Sequence, residues 1–170
     1  MTKRITISLN TSSIDNAIRE LQEYKKEIVH KSKLLEEKIA KRIRDKAQSG
    51  FNNSVASDTT DGNVMAQVQV SVQPGEHTIV IASGEDAVFV EFGAGVYHNT
   101  PVGTSPHPKG NELKLTIGSY GKGKGKRQSW GYYEDGKLYI THGAPATMPM
   151  YRALQETCDD ISQIIREVFW

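Results

Sequence analysis

The longest regular pattern of apolar and polar positions lies in residues 11–50, where one apolar stripe runs through a highly charged segment. The stripe recurs at steps of three or four and consists of Ile14, Ile18, Leu21, Tyr24, Ile28, Leu35, Ile39 and Ile43. This spacing predicts one long amphipathic helix. We expect N-caps among Thr11–Ser13, a capping box of Ser12 with Asp15, and a helix end at Gly50.

A helix of this length is about 50 Å long, which exceeds the width of a small domain. One small domain therefore cannot cover the whole stripe. Either the helix bends back or breaks near His30–Lys33, or part of it packs on another subunit. We expect at least half of the helix to pack within its own chain and the remainder to support oligomerisation.

Alternation with a period of two predicts strands in the middle of the chain. The segment MAQVQVSV at 65–72 and the segment HTIVIAS at 77–83 flank Pro74-Gly75 and predict a β-hairpin. The polar residues 51–63 are predicted to be a connector. The hairpin and the apolar segment after it, which begins at Ala87, together span 64–93.

The second half of the chain begins with a Gly/Lys-rich segment, 94–128, in which only LKLTI at 113–117 is apolar, and we predict a flexible loop there. A second hairpin is predicted at 129–142, with Asp135-Gly136 at its turn. A C-terminal helix is predicted at 147–169. Its stripe consists of Met150, Leu154, Cys158, Ile161, Ile165 and Val168.

These elements predict an α+β fold in a single domain, 1–170, with a mostly antiparallel sheet built from hairpins. A long N-terminal helix precedes the sheet, a long loop interrupts it, and the C-terminal helix packs on it. The 37% of hydrophobic residues suits a folded core.

Composition narrows the function without identifying it. The formal net charge is only +1, so whole-chain electrostatics do not indicate a general nucleic-acid binder. The one cysteine, Cys158, excludes an internal disulfide framework. The first residues lack the apolar core of a secretory signal, and no apolar run has the length of a membrane span. We expect a cytoplasmic site of synthesis and no membrane partner.

The segment GSYGKGKGKRQSWGYY at 118–133 resembles a phosphate-binding P-loop only superficially. Gly118, Gly123 and Lys124 have the required spacing, but Gly125 stands where a Ser or Thr must hold magnesium. The aromatic β-type sequence that follows is not the helix that a P-loop requires. We therefore expect no nucleotide hydrolysis.

The same region carries a local charge of +5 over residues 109–127, six basic residues against Glu112. The basic residues are Lys109, Lys114, Lys122, Lys124, Lys126 and Arg127. Trp130, Tyr132 and Tyr133 follow, and aromatic rings beside basic residues can stack on bases. Two interpretations stay open: a surface that contacts phosphate, or a solvated loop beside a strand whose rings fill a core.

No catalytic, cofactor or metal site emerges from the remaining residues. The histidines and Cys158 have no metal-ligand spacing, and Cys158 lies at a predicted core position. Glu91, within the apolar FVEFG, is the one carboxylate in an unusual place. A single carboxylate without a partner is more typical of a salt bridge or an interface than of general acid catalysis.

Two short motifs in a fixed order resemble the tail-component or tail-completion proteins of long-tailed bacteriophages. The first is VEFGAG at 90–95, where the family has "vEfGTG". The second is GAPATMPMYRA at 143–153, where the family has "G.pa.PFm..A" and where Gly143, Pro145 and Pro149 form a rigid entry to the last helix. Ala94 replaces the usual threonine, and Met150 stands where an aromatic residue is common.

This resemblance implies a non-enzymatic structural protein of the virion neck or tail, assembled in the host bacterial cytoplasm. It implies a homo-oligomeric ring, with six or twelve subunits, that joins head to tail and contacts other neck and tail proteins. Lys109, Lys122, Lys124, Lys126 and Arg127 are then candidates for contact with neighbouring subunits or, non-specifically, with packaged DNA. Glu91 and Trp130 are candidate interface residues. The alternative function is a DNA-binding accessory protein that uses the basic loop 109–127.

Overall fold

The computed structural model describes residues 6, 8, 10–121, 123 and 125–170. The helices are α1 (Thr11–Asn52), α2 (Ala87–Phe92), α3 (Pro149–Asp159) and α4 (Ile161–Phe169). The strands are β1 (Val55–Thr59), β2 (Gly62–Met65), β3 (Gln69–Gln73), β4 (Ile79–Ser83), β5 (Trp130–Glu134) and β6 (Lys137–Gly143).

The strands form two antiparallel sheets, one of four strands in the order β2-β1-β6-β5 and one consisting of the β3–β4 hairpin. The predicted α+β fold, with its long N-terminal helix, antiparallel sheets and C-terminal helices packed together, is therefore confirmed. The C-terminal helices α3 and α4 pack mainly on α1 and not, as predicted, on the sheet. The interpretation of 51–63 as a connector is wrong, because β1 lies within it and pairs with both β2 and β6. Strand β1 consists largely of polar residues, and its apolar and polar positions alternate too little for the strand to be recognised from period-two spacing alone.

Helix α1 is unbroken across 42 residues and is therefore about 60 Å long. The side chain of Asn10, not of Ser12, caps it by accepting a hydrogen bond from the Ser13 backbone N–H. Gly50 does not end the helix, which continues to Asn52. At Gly50 a Cβ atom would lie 2.9 Å from the Cβ atom of Pro149, so the glycine allows α3 to approach α1 closely.

The hydrophobic core lies between the C-terminal half of α1, the β3–β4 hairpin, α2 and α3. Its buried residues are Ala47, Phe51, Val68, Val70, Val90 and Ala153. Alanines on the two helices leave room for the aromatic ring of Phe51, which is fully buried. Ion pairs beside this core join Lys46 of α1 to Glu156 and Asp160.

The C-terminal segment forms two helices, α3 and α4, which are separated by the single turn residue Asp160. The predicted stripe is displaced by about one position, because the buried residues of α3 and α4 are Pro149, Ala153, Thr157 and Ile164. Cys158 is exposed, contrary to its predicted core position. A mixed sequence with several apolar positions per turn allowed two nearly equivalent faces, and packing on α1 selected the one with the smaller residues.

The apolar segment that follows the first hairpin forms a short helix, α2. After it, residues 94–121 contain neither helix nor strand, yet Gly110 and Ile117 are buried and backbone hydrogen bonds join Gly103 to Ile117 and Ile117 to Thr104. Across the part of the chain that the structure describes, no helix is long and apolar enough to cross a membrane.

Candidate functional site

The two motifs that are separated by about fifty residues in the sequence meet in the structure. Backbone hydrogen bonds run both ways between Ala94 and Ala144, at 2.8 and 3.1 Å. The side chain of Asn99 fastens this bridge, since its amide nitrogen donates to the carbonyls of Gly95 and Ala144 and its oxygen accepts from the Ala146 N–H. The loop that leaves α2 and the loop that enters α3 are thereby held as one unit.

Glu91 caps the N-terminus of α3 with its side chain. The residue before α3, Met148, has a left-handed backbone and makes no capping hydrogen bond with its side chain. The Glu91 carboxylate accepts hydrogen bonds from the N–H groups of Met150 and Tyr151, both at 2.9 Å. A buried negative charge here satisfies two free donors and interacts favourably with the positive end of the helix dipole.

His107 completes this buried cluster from the long loop. Its Nδ1 atom accepts a hydrogen bond from the Lys109 N–H at 3.0 Å, and its Nε2 atom lies 3.2 Å from a Glu91 oxygen. A neutral imidazole with its proton on Nε2 satisfies both contacts, which is the tautomer we assign. The ring also packs on Phe92, with 4.5 Å between ring centroids.

These contacts explain Glu91 structurally. The side chain is only 9% exposed and all of its hydrogen-bond partners lie within the chain. It orients α3 and the loop rather than facing solvent. Tyr120 closes the opposite side by donating a hydrogen bond from its hydroxyl to the Gly93 carbonyl, and burial raises the pKa of Tyr120 to about 12.

Trp130 is half-buried at the start of β5, where its ring lies over two glycines. A Cβ atom on Gly95 or Gly143 would meet the ring within 2.9 Å, and at Gly143 it would also clash with the Ala94 carbonyl. Both glycines have positive φ, at 75° and 93°. The motif glycines thus let the indole ring and the two loops approach one another.

The first large exposed apolar surface is the N-terminal part of α1. We call residues 11–34 the overhang. Every residue from Leu21 to His30 is exposed, and Ala17 is the only fully buried residue in the overhang. The predicted stripe continues through it, and its exposed members Ile14, Ile18, Leu21, Tyr24 and Ile28 form the overhang stripe.

The second surface is an open groove of about 630 Å³ between α1, the β3–β4 hairpin, α2, the loop that follows α2, and α3. We call it the apolar groove. Its walls carry four side chains that are each 40% exposed or more: Ile79, Val88, Leu113 and Leu154. Glu91 and His107 lie at its base and Lys109 at its rim. Apolar area of this kind on a protein surface is typical of an interaction site.

The basic loop is only partly described. Lys122 and Lys124 lie outside the described residues. Lys109 pairs with Glu112 at 2.9 Å, and that hydrogen bond raises the pKa of Lys109. Lys114, Lys126 and Arg127 are exposed. Residues 113–117 include turn residues and do not form the strand that a P-loop requires, and the chain continues from the loop into β5.

One polar cluster was not foreseen from the sequence. His98 contacts the Asp58 carboxylate at 2.8 Å, and His142 lies 3.8 Å from the same oxygen under the ring of Tyr97. Within the described residues no group of three acidic, histidine or cysteine side chains has the geometry to hold a metal ion.

The sequence pointed to Glu91, to the motif glycines and to the stripe of α1. It gave no sign of Asn99 and His107, which come from a loop without periodic pattern, or of the apolar groove, whose walls come from separate elements. The roles of Asn99 and His107 could be recognised from the sequence only if it were already known that the two motifs meet in space.

No family model, no curated protein and no solved structure matches the chain.

Proposed function

We propose that this chain is a structural protein of a tailed-phage virion, which acts in tail completion or head–tail joining as one subunit of a ring at the neck. It is assembled in the host cytoplasm and performs no catalysis. The observation that carries the proposal is the pair of unlike apolar surfaces on one subunit, the overhang stripe and the apolar groove.

A closed ring requires such a pair. Each subunit of a cyclic ring uses one surface toward the next neighbour and a different one toward the previous neighbour. The overhang stripe and the apolar groove lie at different places on the molecule and are both exposed to water. An assembly that buries both surfaces would remove most of the exposed apolar side chains of α1 from water.

The α2–α3 junction supports the resemblance to the phage family in a second way. Both family motifs serve one structural purpose here, because Glu91 of the first motif caps the helix that the second motif begins. A structural role accounts for the carboxylate and the glycines without any reaction.

The experiment that tests the function uses the phage or prophage that encodes the chain. Deletion of the gene is expected to leave filled heads and finished tails unjoined in electron micrographs, and plasmid-borne wild-type protein should restore complete particles. Particles that join normally without the protein would overturn the proposal. Mass spectrometry of purified virions should find the protein in them.

The basic loop would line the DNA channel or meet a neighbouring subunit in this ring. Replacing Lys122, Lys124, Lys126 and Arg127 together by alanine should leave folding intact while it reduces assembly or DNA retention. Fully infectious particles from this variant would exclude a role for the loop.

A DNA-binding accessory protein is the second candidate, favoured by the exposure of Lys126 and Arg127 close in sequence to Tyr133, which is 76% exposed. Such a protein should bind DNA with an affinity that falls steeply as salt rises, because bound phosphates release counterions. Ring formation without DNA favours the first function. A chain that stays monomeric and binds DNA in this salt-dependent way favours the second.

A further inference from the structure

We propose that the overhang stripe of one copy of this chain docks into the apolar groove of a second copy, so that copies join head to tail. The inference rests on the proposed function and names the contact through which its ring would close. It also assigns the apolar groove an occupant of defined chemistry, namely an amphipathic helix with an acidic tip.

The stripe cannot fill the groove of its own chain. Helix α1 is continuous, and Ile43 at the groove is twenty-five residues from Ile18. That separation corresponds to about 38 Å along a rigid helix. Because α1 does not break, an overhang stripe that enters the groove must come from another molecule.

The two surfaces match in character. The overhang stripe presents five large apolar side chains on one face, spaced at three, four and seven residues. The walls of the apolar groove present Ile79, Val88, Leu113 and Leu154, all well exposed. An amphipathic helix laid into an apolar groove is a common mode of recognition, with anchors at this spacing. Burying both sets together removes apolar area from water.

The charges on the two surfaces favour one orientation of the helix in the groove. Residues 11–24 carry Asp15, Glu20 and Glu23 against Arg19, a net charge of −2. The rest of the overhang, residues 25–34, carries a net charge of +3, so the two ends of the overhang differ in charge. The groove has Lys109 at its rim, and the exposed Lys114 follows on the same loop. Opposite charges beside an apolar contact steer association and fix its register. The acidic tip of the helix therefore suits the basic side of the groove.

An alternative pairing, overhang against overhang, would bury the stripe in a symmetric dimer. It would leave the four apolar walls of the groove in water. Head-to-tail docking covers both surfaces with a single kind of contact, and it is the arrangement that can close into a ring.

The test uses two full-length variants that each lose one side of the contact. The stripe variant carries Ile18→Glu with Leu21→Glu, and the groove variant carries Val88→Glu with Leu154→Glu. All four positions are at least 40% exposed, so the fold should tolerate them. Tyr133→Glu, at an exposed position on neither surface, is the matched control. Thermal unfolding followed by circular dichroism checks that each variant folds.

Light scattering after size-exclusion chromatography then gives the masses. We expect the wild type and Tyr133→Glu to form the same oligomer and each double variant to be monomeric. An equimolar mixture of the two double variants should form a 1:1 dimer and go no further. The mixture retains one intact stripe and one intact groove, which allows only one contact to form.

Other outcomes overturn the docking. A groove variant that assembles like the wild type, or a mixture that yields no dimer, shows that the stripe meets something else, such as a second stripe. A wild type that is monomeric at every concentration excludes self-docking. The function is judged separately, by the joining of heads to tails in the deletion strain, so each can fail without the other.

Discussion

The two halves of α1 share one sequence pattern and have opposite environments. In the C-terminal half, Ala47 and Phe51 are completely buried against α3 and the β3–β4 hairpin. In the overhang, Ile18 and Leu21 are about half exposed although they continue the same stripe. Amphipathic spacing therefore identifies an apolar face, but it does not say whether the same chain covers that face.

The difference also separates folding from assembly. Side chains in the packed half contribute to the stability of the monomer, whereas those of the overhang contribute only where a partner covers them. Paired substitutions of residues with similar side chains, one packed within the chain and one in the overhang, test this division. Unfolding should be measured in protein dilute enough to be monomeric, because association stabilises the folded state by mass action.

The aromatic pair should give the largest contrast. Phe51→Ala removes a fully buried ring and is expected to lower the free energy of unfolding by about 3–5 kcal/mol, since a cavity remains. Tyr24→Ala, in the overhang, should change it by less than about 0.5 kcal/mol. Urea denaturation of both variants measures the difference. Equal losses at the two positions would mean that the overhang packs within the monomer.

The carboxylate pair contrasts the α2–α3 junction with the overhang. Glu91→Ala leaves the Met150 and Tyr151 N–H groups and the His107 ring without their acceptor, so we expect a loss of about 3 kcal/mol. Glu91→Gln should recover part of that loss, because its amide oxygen can still accept. Glu23→Ala, at an exposed position, is the control. Chemical denaturation that finds Glu91→Ala as stable as the wild type would disprove the capping role.

The isoleucine pair lies on one stripe and compares its two halves directly. Ile43 packs against the core while partly exposed, and Ile43→Ala should cost about 1–2 kcal/mol of unfolding free energy. Ile18→Ala should have a stability effect below about 0.5 kcal/mol but should weaken oligomerisation. Denaturation and light scattering on the same samples distinguish the two effects. If Ile18→Ala lowered the free energy of unfolding and Ile43→Ala weakened oligomerisation instead, the N-terminal half of the stripe would pack within the chain and the C-terminal half would contact the partner.

The smallest effect concerns high pH at the packed junction. Burial raises the pKa of Tyr120 from 10.0 to about 12. A raised folded-state pKa means that the folded protein binds the phenolic proton more tightly than the unfolded chain does. The contribution of this proton to the free energy of unfolding is therefore complete below pH 10 and is lost between pH 10 and 12. Thermal unfolding across that window should show a decline in the wild type that is smaller in Tyr120→Phe. A decline of equal size in both would assign it to other groups.

The parts of the fold with strong local signals were predictable. Apolar residues at steps of three or four identified α1, and alternation with a Gly-containing turn identified the β3–β4 and β5–β6 hairpins. The weak points were local ambiguities. β1 is polar enough to resemble a connector, and the face of α3 could be placed at Cys158 or at Thr157 until packing on α1 chose the smaller side chains.

The candidate site was predictable in its parts and not in its arrangement. Glu91 was evident as a carboxylate in an apolar segment, and the two motifs as a pair in fixed order. Which donors Glu91 binds depends on where α3 begins in space, and no spacing in the sequence encodes that. The same holds for Asn99, whose importance follows entirely from the meeting of two loops.

The sequence by itself determined the helical spacing of α1, the alternation of the hairpin strands, the charge of each segment and the size of the apolar stripe, because these depend on neighbouring residues along the chain. Only the tertiary structure decided where the elements begin and end, which half of α1 is covered, which donors the buried carboxylate satisfies and where separate elements leave an apolar groove. Those properties depend on residues far apart in sequence being brought together, and the physical reason is that burial is a property of the packed whole.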